Sequence, residues 1–338
     1  VRLKDCISFD DVLLVPKYSE IMSRREISLN SKLDNKIELN LPIISSPMDT
    51  VTEDKMVNSM SNHGGLGIIH RYNSIEKQVD IVSSCNESSN IGAAIGVTGD
   101  YLDRAIKLRN AGANIICVDI AHGHHAMMRH ALQVLRNTFG NDLHIMAGNV
   151  ATLEAFNDLA DWGATSIRVG IGGGSICSTR IQTGHGMPTL QSVIECSMSD
   201  RSAALIADGG IKNSGDIVKC LAVGADFVML GSILSGTSQS PGDVIFESDG
   251  SKSKVYRGMA SKDAQMNWRG HTSSVEGVTS KVGFKGDIDN IMKDLKTNIR
   301  SGLSYTGATT ITELQSKSTF IRQTTAGAIE SSTHIFKV

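Results

Sequence analysis

The residues best suited to chemistry sit in one stretch, Val169–Pro188, which reads VGIGGGSICSTRIQTGHGMP. Glycines at 170, 172, 173 and 174 lead into Ser175, Cys177 and Thr179. A glycine-rich loop presents backbone N–H groups that can hold a phosphate, and the same groups favour a thiolate. The stretch can therefore supply a phosphate cradle, a nucleophile, or both. The plainer alternative makes the glycines turn residues and the thiol a small hydrophobe. Gly170, Gly172 and Gly174 also mimic a dinucleotide fingerprint. That motif should run straight into a helix, whereas here Cys177, Thr179 and Arg180 intervene. The other five cysteines (Cys6, Cys85, Cys117, Cys196, Cys220) fall in expected strands or helices or near the chain's edge, where thiols are usually inert.

The strand ends around this loop carry further polar groups. They are Ser46-Pro47-Met48-Asp49, His70, Asp119 with His122-Gly123-His124, Gly148-Asn149, Asp208-Gly209-Gly210 and Gly231-Ser232. The run HGHH at 122–125 has no carboxylate or cysteine at ligand spacing, which argues for contact or structural histidines over a metal site.

Eight short apolar runs provide those ends: 42–47, 66–70, 91–97, 115–120, 144–148, 166–170, 204–209 and 226–231. Continuous apolar character fits strands buried on both faces of a parallel sheet. Amphipathic segments lie between them, several closing on Gly-Ala just before the next strand, as a glycine C-cap predicts. Eight strand–helix units at intervals of roughly 25 residues fit a (β/α)8 TIM barrel, with a doubly wound sheet as the competitor. In such a barrel the chemistry lies at the C-terminal strand ends, with phosphate commonly held after strands seven and eight. That puts Gly209, Gly210, Gly231, Ser232 and Ser175 at a phosphate and Asp208 at a ribose diol. After the eighth run, residues 243–259 alternate around Asp249-Gly250 like a hairpin. Residues 260–286 lack a period and read as a mobile loop. A helix follows over 287–305, and the tail after Phe320 is expected to reach a neighbouring subunit or to lie loose.

The chain has 338 residues, 40% apolar and 20% charged, with a net charge of −2. That balance gives no reason to expect nucleic acid or an anionic membrane as partner. No apolar run approaches the ~20 residues of a membrane span, and the opening residues do not read as a signal peptide. Six cysteines without CxxC spacing suit reduced thiols in a cytoplasmic enzyme.

The motifs SFDDVLLVPKYSEI, SSPMDTVTE, GGLGIIHR, DIAHGHH, MAGNVAT, RVGIGGGSICSTR, ADGGI, GADFVMLGS and YRGM follow one another through nearly the whole chain. Together they resemble the IMP dehydrogenase and GMP reductase family. The resemblance implies a single (β/α)8 barrel spanning 1–338, with a flap at about 250–286 and a tail at about 321–338. It also implies a homotetramer binding a purine nucleotide and a nicotinamide cofactor. It assigns the catalytic cysteine to Cys177 and its partner to Thr179. Phosphate contacts fall on Ser175, Gly210, Gly231 and Ser232, and ribose binding on Asp208. Base contacts fall on Met48, Gly258 and Met259, and Ser46, Gly209 and Tyr256 complete the substrate set. Asp119, His122 and Gly123 are the implied cofactor contacts.

Both reactions of the family pass through a thioimidate between cysteine and purine C2. The dehydrogenase branch hydrolyses it with an Arg-Tyr pair on a long flap. Here the only arginine between Met259 and Gly286 is Arg269, followed by Gly270. VEGV places Glu276 where the reductases pair a glutamate with the threonine. The regulatory insertion common in dehydrogenases is missing between the second and third units. These features favour NADPH-dependent reduction of GMP. The opening motifs and the tail TAGAIESSTH pull toward the dehydrogenase. That tail implies a monovalent cation, K+, held by Gly172, Gly174 and Cys177 with Glu330 and Ser331 of a neighbouring subunit. Ser332 follows where histidine is usual, and Gly173, His185 and Thr189 also depart from the family pattern. A barrel that binds purine nucleotide without turnover is the third reading.

Overall fold

The computed structural model describes residues 3–86 and 89–331. The eight apolar runs form eight strands: β1 (Ile43–Ser45), β2 (Leu66–Ile69), β3 (Ile91–Ile95), β4 (Ile115–Asp119), β5 (His144–Val150), β6 (Ser166–Val169), β7 (Ala204–Asp208) and β8 (Phe227–Leu230). Each pairs in parallel with the next, and β8 closes on β1 through Val228 opposite Ile43 and Leu230 opposite Ser45. The closed ring confirms the (β/α)8 barrel and excludes the doubly wound sheet.

Strand residues point alternately inward and outward. Ile44, Ile68, Cys117, Met146, Ile206 and Met229 fill the interior, while Ile43, Ile69, Ile116, Ile145 and Val228 pack against the helices. Burying each such Ile, Val or Met contributes roughly 1.5–3 kcal/mol, which locks the register of the ring. A hairpin pairing Ser31–Lys32 with Glu38–Leu39 plugs the lower end with Leu33, Ile37 and Leu39. There Asp34 Oδ2 lies 2.6 Å from His144 Nδ1. The Gly-Ala stops behave as expected: Gly112, Gly163 and Gly224 all have left-handed φ between 111° and 117°.

Beyond β8 the expected hairpin forms, Ile245–Phe246 (β9) against Lys252–Arg257 (β10). The segment expected as an irregular loop is more ordered than that. Ser261 caps a helix over Lys262–Arg269, which Gly270 ends, and Thr279–Gly283 (β11) pairs antiparallel along β10. The helix is short and buries only Ala264 and Gln265, and β11 is mostly exposed. Neither leaves an apolar period to read. The tail is not loose. Phe320–Arg322 pairs with Val12–Leu14 of the same chain, and Thr325–Glu330 forms a helix, so through Ser331 the tail is held by its own N-terminal segment. Ser332 lies outside the described residues. Among the described residues no helix is long and apolar enough to cross a membrane.

Candidate active site

A cavity of about 280 Å3 opens at the C-terminal ends of the barrel strands. The β1 end contributes Ser46 and Met48, the β4 end Asp119, the β7 end Asp208, Gly209 and Gly210, and the β8 end Gly231 and Ser232. The loop after β6 contributes Gly172, Gly174, Ser175, Cys177 and Thr179. The segment after β8 folds back to add Tyr256, Gly258, Met259 and Glu276.

Close backbone approach explains the glycines that matter most. A Cβ on Gly170 would stand 1.9 Å from the Asp208 carbonyl, so the β6 and β7 loops can touch only without a side chain there. A Cβ on Gly231 would meet Tyr256 Oη at 3.1 Å, Met48 Sδ at 3.3 Å and Ser46 Oγ at 3.5 Å. Groups from β1, β8 and β10 thus converge on one small space.

The cysteine loop is held from above by the flap. Ser178 N donates to the Glu276 carbonyl at 2.9 Å, and Val278 N donates to the Ile176 carbonyl at 3.0 Å. Glu276 N in turn donates to the Ala260 carbonyl at 3.1 Å. These bonds bring Glu276 beside Cys177, about a hundred residues earlier in the chain. Cys177 Sγ donates to Thr179 Oγ1 at 3.2 Å, and Ser274 Oγ donates to Glu276 Oε1 at 3.1 Å. Thr179 and Glu276 both line the cavity without a side-chain hydrogen bond between them. Cys177 is half-buried and opens on the cavity. Burial instead pushes the thiols of Cys85, Cys117 and Cys196 up to about 12, and that of Cys220 up as well, so those four stay protonated.

One organising residue escaped the sequence reading. Arg168, 6% exposed, projects from β6 into the mouth of the barrel. Its Nη1 donates to Asp119 Oδ1 at 2.6 Å and its Nη2 to Asp208 Oδ2 at 2.8 Å. Burial alone would lower the guanidinium's pKa, but the Asp208 and Asp119 carboxylates reverse that and raise it. Asn149 Nδ2 donates to the same Asp208 oxygen at 2.8 Å. An arginine inside SIRVG, otherwise an apolar strand, was the available signal. Arg71 and Tyr72 also line the cavity unforeseen. Arg71 Nε, 3.8 Å from Asp119 Oδ2, and Asn149 Oδ1 are buried without hydrogen-bond partners among the described residues.

Four of the foreseen residues lie elsewhere in the single chain. His122 is exposed beyond the cavity wall, and Gly123 packs on the end of β5, its N–H donating to the Asn149 carbonyl at 2.7 Å. Glu330 and Ser331 sit in the tail, which packs on the Phe9–Asp11 turn of the same chain.

The model of the IMP dehydrogenase / GMP reductase domain matches residues 6–334. An inosine-5'-monophosphate dehydrogenase of Cryptosporidium parvum is 38% identical, covering 97% of this chain and 94% of its own. One from Nitrosopumilus maritimus is 33% identical, covering 99% of both, and a GMP reductase of Leishmania major is 30% identical, covering 98% and 97%. The last two alignments run over 473 and 479 positions against 338 residues here, so those relatives carry long stretches that this chain lacks. Among solved structures, GMP reductase from Trypanosoma brucei in complex with guanosine 5'-monophosphate superposes with a TM-score of 0.94 at 29% identity, covering 99% of both chains. Barrel, cavity and relatives agree: the chain belongs to the IMP dehydrogenase / GMP reductase family.

Proposed function

We propose that this protein is a GMP reductase, converting GMP to IMP and ammonia with NADPH. The observation that carries the reading is the flap, which turns Glu276 into the cavity beside Cys177 and Thr179 and has no Arg-Tyr pair to activate water.

In this reading the phosphate lies on Ser175, Gly209, Gly210, Gly231 and Ser232, with Tyr256 beside them. Asp208, oriented by Arg168 and Asn149, takes the ribose hydroxyls. Ser46, Met48, Gly258 and Met259 flank the base. The Cys177 thiolate adds to C2, and the C2–N bond breaks as the amino group leaves as ammonia. Thr179 and Glu276 deliver the proton that departure needs. The thioimidate then gains two electrons and a hydrogen at C2, and the C–S bond breaks to return the thiolate and give IMP. A nicotinamide cofactor, when bound, supplies that hydride. Its side of the cavity fits an amide, because Arg71 Nε is an unpartnered donor and Asn149 Oδ1 an unpartnered acceptor beside Asp119. His122 and Gly123 would then touch parts of the cofactor lying outside the cavity.

The reading includes a single cytoplasmic barrel domain assembled as a homotetramer. A neighbouring copy would bring Glu330 and Ser331 to a K+ ion on the Gly172, Gly174 and Cys177 loop. The second reading, an IMP dehydrogenase using NAD, draws support from the 38% and 33% identical relatives of that name. Cofactor absorbance with GMP and NADPH, and separately with IMP, NAD and potassium, decides between them. NADPH consumption with ammonia release supports the reductase. NADH production from IMP overturns it and makes Arg269 the first candidate for water activation. Nucleotide binding with neither signal supports a non-catalytic binding protein.

A further inference from the structure

The phosphate subsite just described has a charge problem. A nucleotide phosphate brings close to two negative charges, yet among the described residues the only cationic side chains lining the cavity are Arg71 and Arg168. Arg168 is bonded to Asp119 and Asp208, and Arg71 faces Asp119. The walls around Ser175, Gly210, Gly231 and Ser232 offer hydroxyls and N–H groups but no cation.

One ammonium group lies directly behind that wall, and a second sits farther along the same segment. Lys285, just past β11, donates to the carbonyl oxygens of Ser232 at 2.6 Å and Ile233 at 3.1 Å. Lys254, in β10 and 3% exposed, donates to the carbonyls of Thr237 at 3.1 Å and Ser240 at 2.5 Å. The backbone ties the same pieces together: Lys285 N donates to the Gly236 carbonyl and Ser238 N to the Gly286 carbonyl, both at 2.8 Å. Neither lysine has a carboxylate in salt-bridge contact among the described residues. Desolvation lowers the pKa of both; at Lys254 the Asp243 carboxylate works against it and Lys55 adds to it. For the buried Lys254 a cation set against carbonyls is costly unless a nearby negative charge offsets it, whereas Lys285 keeps an exposed face to water. Lys285 is one residue's thickness from the cavity, because Ser232 meets the lysine through its carbonyl and itself lines the cavity.

We propose that Lys285, supported by Lys254, is a positioning residue for the substrate's 5'-phosphate: its ammonium grips the Ser232–Ile233 carbonyls, orients that turn, and supplies the positive charge the cavity wall lacks. This rests on the nucleotide-phosphate reading. It does not depend on the direction of the reaction, since GMP and IMP carry the same phosphate. It also gives the flap's base a task distinct from proton transfer at its tip, because the lysines fasten β10 and the end of β11 to the loop that meets the phosphate.

The test is calorimetric binding of GMP, its singly charged 5'-monomethyl phosphate ester, and guanosine to the wild type, Lys285→Met and Lys285→Arg. Lys285→Met should weaken GMP about five- to tenfold, the ester by a smaller factor, and guanosine less than about twofold, since the effect scales with ligand charge. Lys285→Arg should recover most of the GMP affinity. Equal weakening of all three ligands would reduce Lys285 to a structural prop, and unchanged GMP affinity would remove it from the site; either overturns the proposal. Wild-type protein that binds GMP no tighter than guanosine overturns the phosphate subsite itself, an outcome distinct from a failure of Lys285 alone.

Discussion

The barrel wall and the flap hold their halves of the site by different means. Ile115, Ile116, Cys117 and Val118 of β4 are fully buried between β3 and β5, and Asp119 at the end of β4 pairs with Gly148 of β5. Asp119, Asp208 and Gly231 therefore keep their places through ring closure and core packing. Glu276 reaches the same cavity on a segment whose outer strand is mostly exposed. Its position rests on a few backbone bonds to Ile176, Ser178 and Ala260. Regions with few buried contacts open at low free energy. The wall is thus held by the core, and the flap by a few backbone bonds that open at lower free energy.

Substitutions can separate the two halves. Cys177→Ala should abolish turnover while GMP affinity stays within about threefold, because most of the phosphate and ribose contacts proposed above belong to the wall. Steady-state rates and calorimetry on one preparation check both. Glu276→Gln should cost ~10²–10⁴ in turnover with little change in nucleotide affinity, as expected for a positioned acid–base group. A strong loss of affinity instead would mean that the flap also binds the nucleotide.

Arg168→Met attacks the wall. It strands two carboxylates around the buried position and should destabilise the fold by about 3–5 kcal/mol, read from denaturant midpoints. Unchanged stability would show that Asp119 and Asp208 relax freely and that the wall is less rigid than argued.

The smallest effect lies at the far end of the barrel. Burial outweighs the Leu205 N–H bond and raises the Asp226 carboxyl from 3.8 to about 6. The folded state thus favours the protonated form. No penalty exists below pH 3.8, stability falls as pH rises from there through about 6, and the penalty is constant above. Asp226→Asn keeps an acceptor for Leu205 N–H and should gain on the order of 2–3 kcal/mol at pH 7.5 but nothing at pH 3.5. Urea midpoints at the two pH values test this without involving the catalytic site.

The same contrast decides what the sequence made legible. The eight strands could be read because residues such as Ile115–Val118 are buried on both faces and so leave continuous apolar runs. The chemistry at their ends followed, since a parallel barrel collects strand C-termini at one mouth. The helix at Lys262–Arg269 and β11 were missed because exposed elements held by capping and backbone pairing leave no hydrophobic period. Arg168 was missed because one charge in a strand gives no hint of partners on two other strands, Asp119 and Asp208. The tail's pairing with Val12–Leu14 joins opposite ends of the chain, which local patterns cannot show. Cys177, Thr179 and Glu276 were assigned as a set through family resemblance. Their spacing alone left the cysteine's role open.

Cys177 is expected to form a covalent bond to purine C2 during turnover. Peptide mass spectrometry on wild-type enzyme, quenched in acid while consuming GMP and NADPH, tests it most directly. The expected result is a nucleotide adduct on the peptide carrying Cys177, absent from Cys177→Ala, which does not turn over. An adduct confined to another residue, or sustained turnover by Cys177→Ala, would contradict it.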